Sequence, residues 1–436
     1  GIYKSTDIGA HWDKVNTGSN GFPTEGFERL EIATAPSNAN VVYAVGSGGS
    51  GDNDIGVFVK STDGGTTWPP VTIPLNTSGK HFTRGQAWYD LILAVDPNDE
   101  NTLYAGGIDL HKSIDSGNTW NQISHWYGGF ELDYVHADQH SFAFRPGNPN
   151  TVVFGNDGGL HMTTDAGDHF TAKNSGYNVT QFYSCALHPN AGEYYFLAGS
   201  QDNGTQQFDS AGIDSTKEVT GGDGAYCFID KTDPADIQIT SYIFNNYYLS
   251  SDGFQTYTSL SSEYDNTGRF INPADYDDNS NILYSASGED SLKRTFGIDN
   301  ADYIEINSNS VKASHIRVSQ FTDNTIFIGT GAGRLFKVTD ADDVPSISEI
   351  TGDDFPTGYI SCIELGDSEN QILVTFSNYG VISVWETSDG GTIWTDKEGD
   401  LPDMPVRWAL YNPDNRHEVI LATEVGVWST TDFNSA

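Results

Sequence analysis

An eight-residue phrase returns along this chain at nearly regular intervals, and a chain with such a period folds as an array of like units. It reads Ser61-Thr62-Asp63-Gly64-Gly65-Thr66-Thr67-Trp68, with close copies at Ser5 to Trp12, Ser113 to Trp120 and Thr387 to Trp394. Weaker copies stand at Thr163 to Phe170 and Ser250 to Tyr257, and a truncated one closes the chain at Thr430-Thr431-Asp432. With degenerate copies placed near Asp209, Phe296 and Asp340, the units recur every 43 to 56 residues. That is the length of one four-stranded propeller blade.

The text between octets has a common grammar. Trp88 to Val95 reads as a buried strand, Asp96 to Asn101 as a turn, Thr102 to Gly106 as a second strand and Leu110 to Ser113 as a third. The octet follows, and Trp120 to Ile123 opens a fourth strand. The pattern recurs over 142–170 and 406–432, and no helical periodicity of useful length competes with it. The octet therefore sits in the hairpin between third and fourth strands. Its Asp accepts backbone N–H groups of its own turn, its Gly supplies positive φ, and its Trp packs between blades. Its carboxylates are expected to be structural.

The octet resembles the Asp-box, or BNR repeat, of sialidases, sortilin-type receptors and xyloglucan-active glycoside hydrolases. The resemblance implies an all-β fold, a β-propeller of four-stranded blades with Asp-box hairpins. About ten units are too many for one seven-bladed ring. Two tandem propellers over 1–218 and 219–436 are expected, with one ten-bladed ring as the alternative. The chain begins and ends at a third strand, so a longer parent chain with further blades is expected.

A second resemblance, to large secreted bacterial proteins carrying Asp-box repeats and type IX sorting domains, rests on longer phrases. They include Tyr134 to His140, Gly155-Asn156-Asp157-Gly158-Gly159, Gly199 to Thr205, Gly221 to Gly224, Thr375 to Gly380 and Leu401 to Trp408. It implies an extracellular or cell-surface location in a bacterium.

Composition narrows the partners. The net charge of −39 repels nucleic acid and anionic membrane surfaces, and no apolar run approaches the length of a membrane span. Some of the 60 acidic residues could serve calcium. The three cysteines, Cys185, Cys227 and Cys362, lie in apolar runs and are expected as buried free thiols.

Blade topology puts the turns between second and third strands, and the blade-to-blade connections, at the end opposite the octets. Asp157, Asp202 and Asp223 fall there, with His136, Asp138, His140, Gln181, Tyr183 and Asn203. Three readings stand side by side. Asp157, Asp202 and Asp223 supply a carboxylate pair for glycoside hydrolysis, Asp157 being similar to the Asp-x-Gly-Gly element of tandem-propeller endoglucanases. Alternatively His136, Asp138 and His140, alternating on one strand face, hold a metal. In the third reading these residues only fill turns and satisfy the backbone. Trp126 and Tyr127, with Trp88, Tyr89 and Tyr134, are candidates for a sugar platform, and Gly128-Gly129 places the first two in a loop. The arginines Arg84, Arg269, Arg317 and Arg407 are scattered, unlike the arginine cluster a sialidase uses against its substrate carboxylate. The expected function is a secreted or cell-surface propeller binding glycan, as polysaccharide, or a cell-surface protein. The alternative is an endo-acting glycoside hydrolase on a neutral β-glucan such as xyloglucan.

Overall fold

The computed structural model describes residues 1–48, 53–177, 179–210, 212, 216–306 and 312–433. Among them lie ten antiparallel sheets, seven of them four-stranded, and no helix. In every sheet the strands are hydrogen-bonded in chain order, the up-and-down meander of a β-propeller blade. The chain divides into two compact units, 1–178 and 179–436. The first holds four sheets and the second six. The seam expected at 218/219 falls inside the strand Lys217–Thr220 of the second unit.

The third sheet shows how closely the strand grammar is realised. Its strands are Ile92–Val95, Leu103–Gly106, Leu110–Ser113 and Asn121–Gln122. One difference matters below: Trp88, Tyr89 and Asp90 form a turn and not the start of the first strand. The two inner strands of this sheet are buried on both faces, because the sheet is sandwiched between its neighbours. Ala33, Tyr43, Val45 and Phe58 of the second sheet pack on Leu93, Val95, Leu103 and Ala105 of the third. The other face of the third, with Ile92, Ala94 and Tyr104, packs on Val152 and Phe154 of the fourth. The second unit repeats the device: Ile282, Tyr284 and Leu292 meet Ile316, Ile326 and Ile328. Each buried Val, Leu, Ile or Phe among them contributes about 1.5–3 kcal/mol when taken from water.

The octets do what their chemistry requires. Asp63 accepts the N–H groups of Thr66 and Thr67, both at 2.9 Å, and the Thr67 hydroxyl at 2.7 Å, while the Ser61 hydroxyl accepts the N–H of Gly65 at 2.8 Å. The same Asp-to-main-chain closure, four residues on, recurs at Asp7, Asp115, Asp165, Asp252 and Asp389. These donors hold the Asp63 carboxyl at about 2, the Thr67 N–H having the largest effect. Such a group has no proton to give near neutral pH. Positions 209, 296 and 340, placed as degenerate copies, lie in or beside third-to-fourth-strand hairpins. Trp68 is buried against Phe22, Val57 and Val59, and Trp120 and Trp394 pack against core clusters. Trp12 departs from expectation: in the two-stranded first sheet it is 62% exposed.

The cysteines also differ from expectation at one position. Cys227 and Cys362 are buried, but Cys185 is exposed, because it faces a cavity of the second unit.

Candidate functional site

In the first unit, the end opposite the octets is built by three loops. They are the connection into the third sheet, the connection into the fourth sheet and the turn 156–159. Asp157 occupies that turn, between Asn148–Asn156 and Gly159–Thr163. Gly158 follows because a Cβ there would collide with the His136 ring, and Gly159 because its φ is +111°.

Asp157 is held by side chains from other loops and strands. Tyr89 donates its hydroxyl to Oδ2 at 2.6 Å, and His140 Nε2 meets Oδ1 at 2.7 Å. The Tyr89 ring stands edge-on to His140, with centroids 4.7 Å apart. The Asp157 side chain keeps 15% of its surface exposed.

Asp138 lies next to it, with carboxylate oxygens of the two residues within 4.8 Å. It is buried, accepts a hydrogen bond from Gln86 Nε2 at 3.1 Å, and has a φ of +64°. Burial, and then the charge of Asp157, raise its proton affinity. Behind it sits Asp90, fully buried, with neither oxygen reached by a hydrogen-bond donor. Two adjoining buried carboxylates cannot both be ionised. Burial, and next the Asp138 charge, push Asp90 up to about 10, so it keeps its proton and shares it with Asp138. Arg29 clasps the main chain on either side, through the carbonyls of Tyr89 and Leu91.

The expected metal-ligand row does not form as drawn. The strand begins only at Gln139, and the positive φ of Asp138 breaks the alternation. His136 packs over Gly158 with Nδ1 at 3.2 Å from the Ala137 carbonyl, Asp138 abuts Asp90, and His140 goes to Asp157.

Aromatic side chains rim this end. Trp126 and Tyr127 are exposed, as their glycine-flanked loop suggests, and so are Trp88, Phe130 and Tyr134. Neighbours pin them: Arg84 lies over the Trp126 ring, and the N–H of Trp126 donates to Asp109 at 3.0 Å. Phe130 stacks on His125 at 3.7 Å. Rigid, exposed rings beside carboxylates suit a sugar, whose faces stack and whose edges hydrogen-bond.

In the second unit, the corresponding end carries Gln181, Tyr183, Asp202, Asn203 and Asp223. Tyr183 donates its hydroxyl to Gln201 at 2.7 Å, and Gln181 is exposed. Asp223 accepts the Asp202 N–H at 2.9 Å, which supports the positive φ (60°) of Asp202. Asn203 donates to the Gln201 carbonyl at 3.2 Å and accepts from Gln206 at its own carbonyl at 2.6 Å. Asp223 thus has a turn-supporting role.

Sequence reasoning missed Asp90 and Gln86. A signal for Asp90 was present: a lone acid inside the apolar run 88–95, which was read as strand.

No family model matches the chain. A xyloglucanase of a Paenibacillus species is 34% identical over 139 residues, 28% of this chain and 13% of that protein. A xyloglucanase of Acetivibrio thermocellus is 36% identical over 97 residues, 21% of this chain and 11% of that protein. The chain matches only a small part of the length of these relatives. Among solved structures, a GH74 xyloglucanase from Xanthomonas campestris overlaps 99% of this chain and 69% of its own at 16% identity, with a TM-score of 0.30. The local sequence similarity, at the level of a third of residues identical, is to xyloglucanases.

Proposed function

We propose that this chain is part of a secreted glycan-active β-propeller, an endo-acting glycoside hydrolase on a neutral β-glucan such as xyloglucan. One observation carries the reading: two carboxyl groups of unlike environment, Asp138 and Asp157, lie within 4.8 Å beside a rim of exposed aromatic rings. Glycoside hydrolysis needs such a pair, one group protonating the leaving oxygen and the other activating water or attacking carbon. Asp138, with its raised proton affinity, is suited to be the acid. Asp157, oriented by Tyr89 and His140, is suited to be the nucleophile, because a pair this close leaves no room for the water that a general base would activate. The local similarity to xyloglucanases supports the substrate class. Excess negative charge also favours a neutral polysaccharide over an anionic one.

The exposed aromatic rim also supports glycan binding without cleavage. Reducing-sugar release from xyloglucan and other neutral β-glucans separates the two. Release by the wild type, reduced on the order of 100-fold or more in Asp157→Asn and Asp138→Asn, is expected for the hydrolase. Retention on the polysaccharide without release, lost in a Trp88→Ala/Trp126→Ala double variant, would leave binding as the function.

A further inference from the structure

The turn that precedes the first strand of the third sheet reaches both members of the candidate pair. The N–H groups of Tyr89 and Asp90 close it on the Gln86 carbonyl, at 2.7 and 2.9 Å. From this turn the Tyr89 hydroxyl goes to Asp157, and the side chains of Gln86 and Asp90 go to Asp138. Arg29, on the strand Phe27–Ala35 of the second sheet, fastens the turn through the carbonyls of Tyr89 and Leu91. One short segment, anchored from a neighbouring sheet, therefore holds both carboxyl groups.

Asp90 is fully buried, and among the described residues no donor reaches either of its oxygens. Its side-chain contact is Asp138, an acceptor once ionised. A hydrogen bond between two carboxyl groups needs a proton between them, and the more deeply buried Asp90 brings it. The other charged groups facing the pair are Asp157, His136 and His140 beside Asp138, and Arg29 beside Asp90, itself 3.1 Å from Glu31. Asp157 opposes ionisation of Asp138, and His136 and His140 favour it when protonated.

In the first step of hydrolysis, Asp138 gives its proton to the leaving oxygen. A carboxylate oxygen of Asp157 bonds to the sugar carbon as the C–O bond breaks. Asp138 is then a buried carboxylate, and the Asp90 proton stays on Asp90 and hydrogen-bonds to it. A hydrogen bond to an ionised acceptor is roughly twice as strong as one to a neutral acceptor. The contact therefore tightens toward the transition state, which is the condition for an interaction to raise kcat. In the second step Asp138 takes a proton from the water that frees the sugar, and the contact relaxes.

We propose that Asp90 is a positioning residue for hydrolysis: its carboxyl donates a hydrogen bond that orients Asp138 and holds its carboxylate once the proton has gone to the leaving oxygen. This role rests on the hydrolytic reading of Asp138 and Asp157. Rates of reducing-sugar release from xyloglucan by the whole chain, followed across pH, test it. Asp90→Leu lacks the donor and is expected to lower kcat about tenfold or more, the scale of one hydrogen bond to a charged group. KM should change little, because the buried Asp90 does not touch substrate. The alkaline limb of the kcat profile should move to higher pH, since losing a donor makes the Asp138 carboxylate harder to form. Asp90→Asn keeps a donor and should recover most of the lost rate and return the limb. A merely structural role moves neither the limb nor the split between kcat and KM. Circular dichroism establishes folding; should Asp90→Leu unfold, Asp90→Asn alone decides, and a fall in its kcat of about tenfold or more would overturn the role. Full activity in Asp90→Leu, a loss confined to KM, or a loss that Asp90→Asn fails to recover would also overturn it, with the hydrolytic reading intact. No release by the wild type would overturn that reading and this role with it.

Discussion

Replacing Asp90 by Asn is expected to stabilise the protein at neutral pH, against the usual outcome for a fully buried polar residue. In the folded chain Asp90 keeps its proton up to about pH 10, whereas in the unfolded chain it loses it near 3.8. A folded-state value above the unfolded one means stability that is fully present below about pH 4 and declines as pH rises toward 10. Between the unfolded value and pH 7 lie about 3 pH units, each costing about 1.36 kcal/mol, or about 4 kcal/mol in all. Asn has the shape of the protonated acid and can donate to Asp138, so it escapes this cost. One amide hydrogen is left without an acceptor, an opposing loss of about 1–2 kcal/mol. The net gain is about 2 kcal/mol at pH 7, shrinking to nothing near pH 5 and reversing below it. Urea unfolding of wild type and variant at pH 4.5, 7 and 8.5 measures it. A variant destabilised at pH 7, or a difference that does not grow with pH, would refute the shared-proton account of Asp90 and Asp138.

Three further outcomes are expected. The octet carboxylates behave in the opposite sense: with Asp63 held at about 2, and Asp7, Asp115, Asp165, Asp252 and Asp389 also lowered, their stabilisation is present above about pH 4 and lost as pH falls toward 2. Melting temperatures at pH 7 and pH 2.5 should show the loss, smaller in Asp63→Asn. Phe154→Ala empties the space between third and fourth sheets and should cost about 3–5 kcal/mol in chemical denaturation. Gly158→Ala drives a Cβ into the His136 side chain; it should cost about 1–3 kcal/mol and reduce polysaccharide cleavage more than Gly176→Ala, where the φ of +75° strains an alanine but no neighbour is struck, as reducing-sugar assays would show.

The sequence by itself determined the blade. Strand, turn and octet are local devices, set by alternation, by Gly at positive φ and by an Asp reaching its own turn, so their period could be counted in the text. It also assigned Asp157 and Asp202 to the end opposite the octets, because meander topology allows nothing else. Tertiary structure decided what those residues do. Asp157 is gripped by Tyr89 from a different loop, and Asp138 is set against Asp90 from 48 positions away in number. Proton affinity and cavity shape arise from burial and from neighbours distant in the chain. A repeat reveals where each unit turns, but not which side chains of different units are pressed together away from water.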